Sequence, residues 1–172
     1  MIPKKIHIVG IYGSGKSTIA KKIHDILGYK VYDLDEIKYK RKYDKIRPVE
    51  ERLKIIKSIS NKQKWITEGV WLDYALDLYK KADTVIFLEL PKGTLYKRII
   101  VRHFKRKFHK QEYQNHNLKT TSNILKKAKQ YYNDPNHFMT LNSHKFYIKK
   151  HSRNFVILRN NKEINKFLES LK

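Results

Sequence analysis

Residues 5–18 read Lys5-Ile6-His7-Ile8-Val9-Gly10-Ile11-Tyr12-Gly13-Ser14-Gly15-Lys16-Ser17-Thr18, and the fold turns on this stretch. The run from Ile6 to Gly10 is short, apolar and rich in β-branched residues, the pattern of a buried strand closed by glycine. From Lys16 to Leu27, Ile19, Ala20, Ile23, Ile26 and Leu27 recur at helical spacing, and Gly28 stands where such a helix stops. Between the two, Gly10 to Ser17 matches G-x-x-x-x-G-K-[ST] in full, the phosphate loop. Backbone amides wrap a polyphosphate only where the chain turns tightly and no Cβ blocks the approach. Gly10, Gly13 and Gly15 meet that need. The helix behind the loop adds free N–H groups and the positive end of its dipole. Lys16 is placed for the β- and γ-phosphates and the Ser17 hydroxyl for Mg²⁺, with Ser14 and Thr18 completing the loop. A chance match to a short pattern lacks this strand-before, helix-after context.

Outward from the loop, strand-like and helix-like segments alternate. Tyr29–Asp35, Trp65–Gly69, Ala82–Pro91 and Asn154–Arg159 read as further strands, which makes five. Pro48–Lys62 reads as a helix with Val49, Leu53, Ile56 and Ile59 or Ser60 on its apolar side. A second runs from Lys92 to about Arg106, with Leu95, Ile99, Val101 and Phe104 inward. Ser122–Tyr132, Asn142–Lys150 and Lys162–Leu171 are helical as well. The fold class expected is α/β: a phosphate-loop NTPase fold, with a five-stranded parallel sheet, helices on both faces and a helical lid or insert. Residues 1–172 form a single domain, with about 36–62 as an acceptor-binding helical part and about 103–150 as a basic lid or insert.

Composition narrows the class. The 172 residues include 39 Lys+Arg against 16 Asp+Glu, a net charge of +23, and no cysteine. Absent cysteine excludes a disulfide scaffold, a thiolate nucleophile and sulfur-based zinc sites. Apolar runs reach only about five residues, far from the ~20 of a membrane span. The first residues carry no apolar leader, so a cytoplasmic location without membrane attachment is expected. Residues 92–172 hold 20 basic and 4 acidic side chains, so the charge concentrates in the second half and suits anionic ligands. A lysine-rich composition accounts for part of the total.

The loop alone does not separate a kinase from a GTPase or an ATPase. No N-K-x-D guanine-reading element occurs, and the chain is short for a remodelling ATPase. The sequence resembles the adenylate kinase/shikimate kinase superfamily, most nearly the DNA topology modulation protein-like kinases. The resemblance runs through Ile6–Thr18, Asp33-Leu34-Asp35, Trp65–Gly69, Ala82–Pro91, Arg98–Arg102 and Phe155–Leu168. It implies a phosphotransferase using ATP and Mg²⁺ on a small anionic acceptor, with a nucleoside monophosphate foremost.

The remaining site candidates follow from strand ends and helix faces. Parallel α/β sheets bind ligands at the carboxyl ends of their strands, which directs Asp33 and Asp35 toward the cleft. Asp33 is a candidate to hold Mg²⁺ through water or to accept the acceptor's proton, and Asp35 to hydrogen-bond the acceptor. The plainer alternative is that one of them caps the helix that follows. The resemblance gives Glu68-Gly69 the place of an Asp-Gly that arranges Mg²⁺. That narrower group continues Asn-Tyr, whereas this chain continues Val70-Trp71; Trp71 is an acceptor-contact candidate and Tyr74 reads as core. Arg98 and Arg102 share one helix face and resemble the lid-opening R-x-x-x-R, with Arg106 a turn further on. Guanidinium groups fork onto phosphate oxygens, which suits a transferring phosphoryl group. His7, inside the first strand, reads as a satisfied core or cleft-edge histidine, and His137, His144 and His151 lack the spacing of a metal site. A second reading makes residues 92–153, with their tyrosines and phenylalanines, a nucleic-acid grip beside a subsidiary ATP site.

Overall fold

The computed structural model describes residues 2–40, 45–108, 118–134 and 139–172, with side chains at 105–108 and 118–120 outside that description. Among these residues lies one five-stranded sheet of β1 (Lys5–Val9), β2 (Val31–Asp33), β3 (Trp65–Gly69), β4 (Thr84–Leu88) and β5 (Phe155–Leu158). Every pairing is parallel and the order is β2-β3-β1-β4-β5. The helices are α1 (Lys16–Leu27), α2 (Leu34–Lys38), α3 (Val49–Ser60), α4 (Leu76–Lys81), α5 (Lys92–Phe108), α6 (Leu118–Asn133), α7 (Leu141–His151) and α8 (Asn161–Glu169). No described helix is long and apolar enough to cross a membrane.

Side chains alternate across each strand, so the sheet carries two cores. Ile6, Ile8, Ile66 and Ile86 face one side and meet Ile19, Ile23, Leu95, Ile99, Ala128 and Ile164 from the helices there. Val9, Trp65, Val85 and Phe87 face the other and meet Leu34, Ile56, Leu78 and Ile148. His7 lies on that second side, fully buried edge-on to Tyr79 at 4.6 Å. Its Nδ1 sits 2.9 Å from Thr67 Oγ1, while Nε2 has no partner among the described residues. Burial drives its pKa down to about 3, so the ring stays neutral and is a core residue, as expected.

The structure corrects several sequence expectations. The second strand ends at Asp33 rather than Asp35, because Asp33 Oδ1 accepts the Asp35 amide at 2.7 Å and starts α2. An acid two residues before a free helical N–H competes with strand continuation and wins here. On α3 the buried stripe is Arg52, Ile56, Ile59 and Ser60, whereas Val49 and Leu53 are about half exposed. On α5, Leu95 and Ile99 are buried but Val101 and Phe104 face solvent. At about 100° per residue, positions 101 and 104 turn away from the stripe through 95 and 99. Helix α4, six residues long, went unread because so short a segment shows no full period.

Gly69 explains how α2 reaches the sheet. A Cβ there would lie 2.6 Å from Leu34 Cβ and 2.8 Å from Leu34 Cγ. Glycine thus lets α2 rest directly on the end of β3. Gly69→Ala is expected to destabilise the protein by about 1–3 kcal/mol through overpacking, read as a lowered urea midpoint. An unchanged midpoint would contradict this close approach.

Candidate functional site

The phosphate loop forms as the glycines require. Gly13 and Gly15 hold φ of +80° and +93°, left-handed values that side-chain-bearing residues resist. Gly15 occupies the N-cap of α1 with no side chain capping it and no acid in the first turn. The first amides of α1 therefore have no side-chain acceptor, which leaves an anion site. Ser14 Oγ is buried without a partner among the described residues. The Lys16 residue keeps partial exposure, but its ammonium end lies deep in the cleft. Burial lowers its pKa, while the charges of Glu68, Asp35 and Asp33 act to raise it. Its contact with the Ile11 carbonyl is long, at 3.4 Å.

Three strand ends place the carboxylates beside this loop. In the sheet register Asp33 pairs with Glu68, and Gly69 with Val9 at the mouth of the loop. Ser17 donates its hydroxyl proton to Glu68 Oε1 at 2.5 Å, and Glu68 is 4% exposed. Burial, and then the charge of Glu68, pushes the Asp33 pKa up to about 6, against the lowering effect of the Asp35 amide. Two crowded carboxylates with a serine hydroxyl in line are a donor set of hard oxygens that a divalent cation relieves. Among the described residues no group of three or more His, Cys, Asp or Glu is arranged to hold a metal alone.

The arginines of α5 occupy the other wall. Arg98 Nη1 donates to the Ser14 carbonyl at 3.0 Å and Nη2 to Asn161 Oδ1 at 3.2 Å. It braces α5 against both the loop and the start of α8. Beside it opens a cleft of about 610 Å³ lined by Thr94, Lys97, Arg98, Val101, Arg102 and Asn161. Arg102 is half-buried, and its charge acts to lower the Lys16 pKa. The Arg106 side chain lies outside the described residues.

On the side of α2 and α3, the Trp71 indole donates to Asp35 Oδ1 at 2.7 Å. Tyr74 is buried, as expected, with its hydroxyl donating to the Leu34 carbonyl at 2.8 Å. Arg52 was missed in the sequence. It is 6% exposed, with its guanidinium 4.8 Å from the Tyr74 ring centre and Nη1 3.5 Å from Asp73 Oδ2. Its Nε has no partner among the described residues. The available signal was an arginine four residues before Ile56, on the stripe that buries α3. His144 is structural: its ring nitrogens lie 2.9 Å from the Thr140 and Val70 carbonyls. His137 lies outside the described residues.

No family model matches the chain. Over 104 residues it is 32% identical to the uncharacterized protein YqaC of Bacillus subtilis (strain 168). The match covers 60% of this chain and 58% of that protein, little more than half the length of this curated relative. Among solved structures it is similar to shikimate kinase from Acinetobacter baumannii in complex with shikimate. That likeness has a TM-score of 0.57 at 14% identity, over 99% of this chain and 91% of the other. Shikimate kinase from Aquifex aeolicus gives 0.51 at 18% identity over 97% and 95%. An uncharacterized protein from Eubacterium ventriosum gives 0.54 at 16% over 96% of each. With these neighbours, the parallel sheet ordered β2-β3-β1-β4-β5 and the loop after β1, the chain has the fold of the shikimate-kinase-like P-loop proteins.

Proposed function

We propose that the chain is an ATP- and Mg²⁺-dependent phosphotransferase that moves the γ-phosphoryl group to a small anionic acceptor, foremost a nucleoside monophosphate. The observation that carries this reading is the meeting of Lys16 and Ser17 with the paired carboxylates Asp33 and Glu68 at adjacent strand ends. The triphosphate lies along the loop from Gly10 to Thr18. The donor base and ribose take the cleft between α5 and Asn161, where Arg98 already bridges both walls. Arg102 faces the phosphates together with Lys16, where fixed positive charge stabilises a transferring phosphoryl group. Mg²⁺, when bound, supplies charge neutralisation across the β- and γ-phosphates, and Ser17, Glu68 and Asp33 are the residues to hold it. Asp33, with a pKa of about 6, is ionised at neutral pH yet basic enough to take the proton of a hydroxyl acceptor. A phosphate acceptor needs no base, and there Asp33 serves the cation alone.

Arg52 anchors the acceptor's anionic group. A desolvated guanidinium with an unpartnered Nε forks onto phosphate or carboxylate oxygens. Arg52→Met is expected to raise the acceptor KM by about tenfold or more while leaving the affinity for Mg·ATP unchanged. An equal loss of both affinities would place Arg52 in the scaffold instead. The function is tested by ADP formation from Mg·ATP over nucleoside monophosphates, shikimate-like hydroxy acids and 5′-hydroxyl oligonucleotides. The oligonucleotides address the narrower resemblance to DNA topology modulation protein-like kinases. Stimulation by none of these acceptors would refute the phosphotransferase reading.

A further inference from the structure

Helix α2 carries Asp35 and Lys38 three residues apart, the spacing at which an acid and a base on one helix normally pair. Among the described residues no ion pair joins them. Trp71 stands between the two. Its indole Nε1–H donates to Asp35 Oδ1 at 2.7 Å, and Lys38 Nζ lies 3.2 Å from its ring centre. One side chain therefore holds the acid by its edge and the ammonium by its face. Only indole joins a strong N–H donor to the best π-face for a cation. Trp71 is itself steadied by Tyr74, whose ring stacks at 6.5 Å and 26° and whose hydroxyl is tied to the Leu34 carbonyl. Among the described residues Asp35 Oδ2 has no hydrogen-bond partner.

We propose that Trp71 is a positioning residue that keeps Asp35 and Lys38 from neutralising each other, so that Asp35 Oδ2 and the Lys38 ammonium both stay open to the acceptor. The role in turnover rests on the phosphotransferase reading above; the separation of the two charges does not. Burial lowers the Lys38 pKa, and of the charges acting on it Asp73 comes first and attracts while Arg52 comes next and repels, so Lys38 and Arg52 are a cationic pair edged by Asp73. Asp35 beside this cationic pair selects an acceptor that offers a hydrogen-bond donor next to an anionic group. Without the indole, Asp35 and Lys38 close into the ordinary helical ion pair, and the site loses both contacts at once.

Two measurements test this. The chain has two tryptophans, and Trp65 Nε1 is buried without a partner among the described residues. A ¹H–¹⁵N spectrum of the nucleotide-free protein should therefore show two distinct indole signals. Asp35→Asn is expected to move one and leave the other, and a spectrum with both unmoved overturns the contact. In kinetics, Trp71→Leu is expected to raise the acceptor KM about tenfold, with the Mg·ATP affinity unchanged. Trp71→Phe keeps the ring face for Lys38 but lacks the N–H, and should fall between Trp71→Leu and the unaltered protein. A Trp71 that merely fills space would let phenylalanine restore the full acceptor affinity, and that result overturns the proposal. Should no acceptor be turned over at all, the phosphotransferase reading falls, and the indole spectrum alone decides whether Trp71 holds the charges apart.

Discussion

Lys16→Ala is expected to lower kcat/KM for Mg·ATP-dependent transfer by about 10³-fold, the scale of removing one preorganised charge from a phosphoryl-transfer site. The effect is large because Lys16 is fixed by the loop itself, and neither arginine of α5 occupies its position. Arg98 is engaged with the Ser14 carbonyl and Asn161, and Arg102, one turn further along α5, faces the phosphates beside Lys16 without taking its place. Lys16 is also the positive counterweight to Glu68, Asp35 and Asp33, each of which raises its pKa. Its loss leaves three acids facing a triphosphate that carries like charge. Two readouts separate chemistry from folding: the rise in Tm on adding Mg·ATP, and acceptor-dependent ADP formation. Both should vanish while the nucleotide-free Tm stays within a few degrees. A variant that Mg·ATP still stabilises as strongly as the unaltered protein would remove the loop from the nucleotide site.

Asp33→Asn is expected to reduce transfer to a hydroxyl acceptor by about 10²–10⁴-fold, the range for losing a positioned base. It also carries a signature in stability. The Asp33 pKa is raised to about 6 from an ordinary 3.8, by burial and then by Glu68. The folded state thus holds this proton more tightly than the unfolded chain does. The associated stability is complete below about pH 3.8 and is lost as the pH rises through about 6. Asparagine cannot ionise, and its side-chain oxygen still caps α2. The variant should match the unaltered protein near pH 4 and become more stable than it at pH 7.5. With solvent screening at this partly exposed group, the gain is on the order of 1 kcal/mol. His7 shifts stability the opposite way, since its pKa is lowered to about 3, but it is common to both proteins and cancels in the difference. Urea midpoints at pH 4, 5, 6 and 7.5 measure it; an offset that does not change with pH would contradict the raised pKa.

The loop was legible in the sequence because its chemistry resides in residue type and spacing. Gly10, Gly13, Gly15, Lys16 and Ser17 are neighbours in the chain, and the strand and helix around them repeat at clear periods. The paired carboxylates were half legible: strand ends point acids to the cleft, but only the register sets Asp33 beside Glu68. Asp35 was misplaced on the strand because a cap competes with a strand over a distance of two residues. Arg52 escaped because amphipathic patterning counts apolar residues and passes over a charged one on the buried stripe. The Trp71 contact with Asp35 spans 36 positions, and no local pattern encodes it.

The order of the strands bears on how the protein comes into being. The strand that opens the phosphate loop ends up in the middle of the sheet, with Lys5 beside Trp65 and Ile6 beside Thr84. During synthesis the loop leaves the ribosome before its partners do: the partner of Ser17 lies 51 positions later and the brace from Arg98 to Ser14 spans 84. A nascent chain that ends before β3 carries the whole glycine motif and none of its carboxylate counterpart. Pairings of such long range close late and slowly. On the proposed function, nucleotide affinity belongs to the finished sheet, and Mg·ATP, by binding only that state, would pull slowly folding chains toward completion.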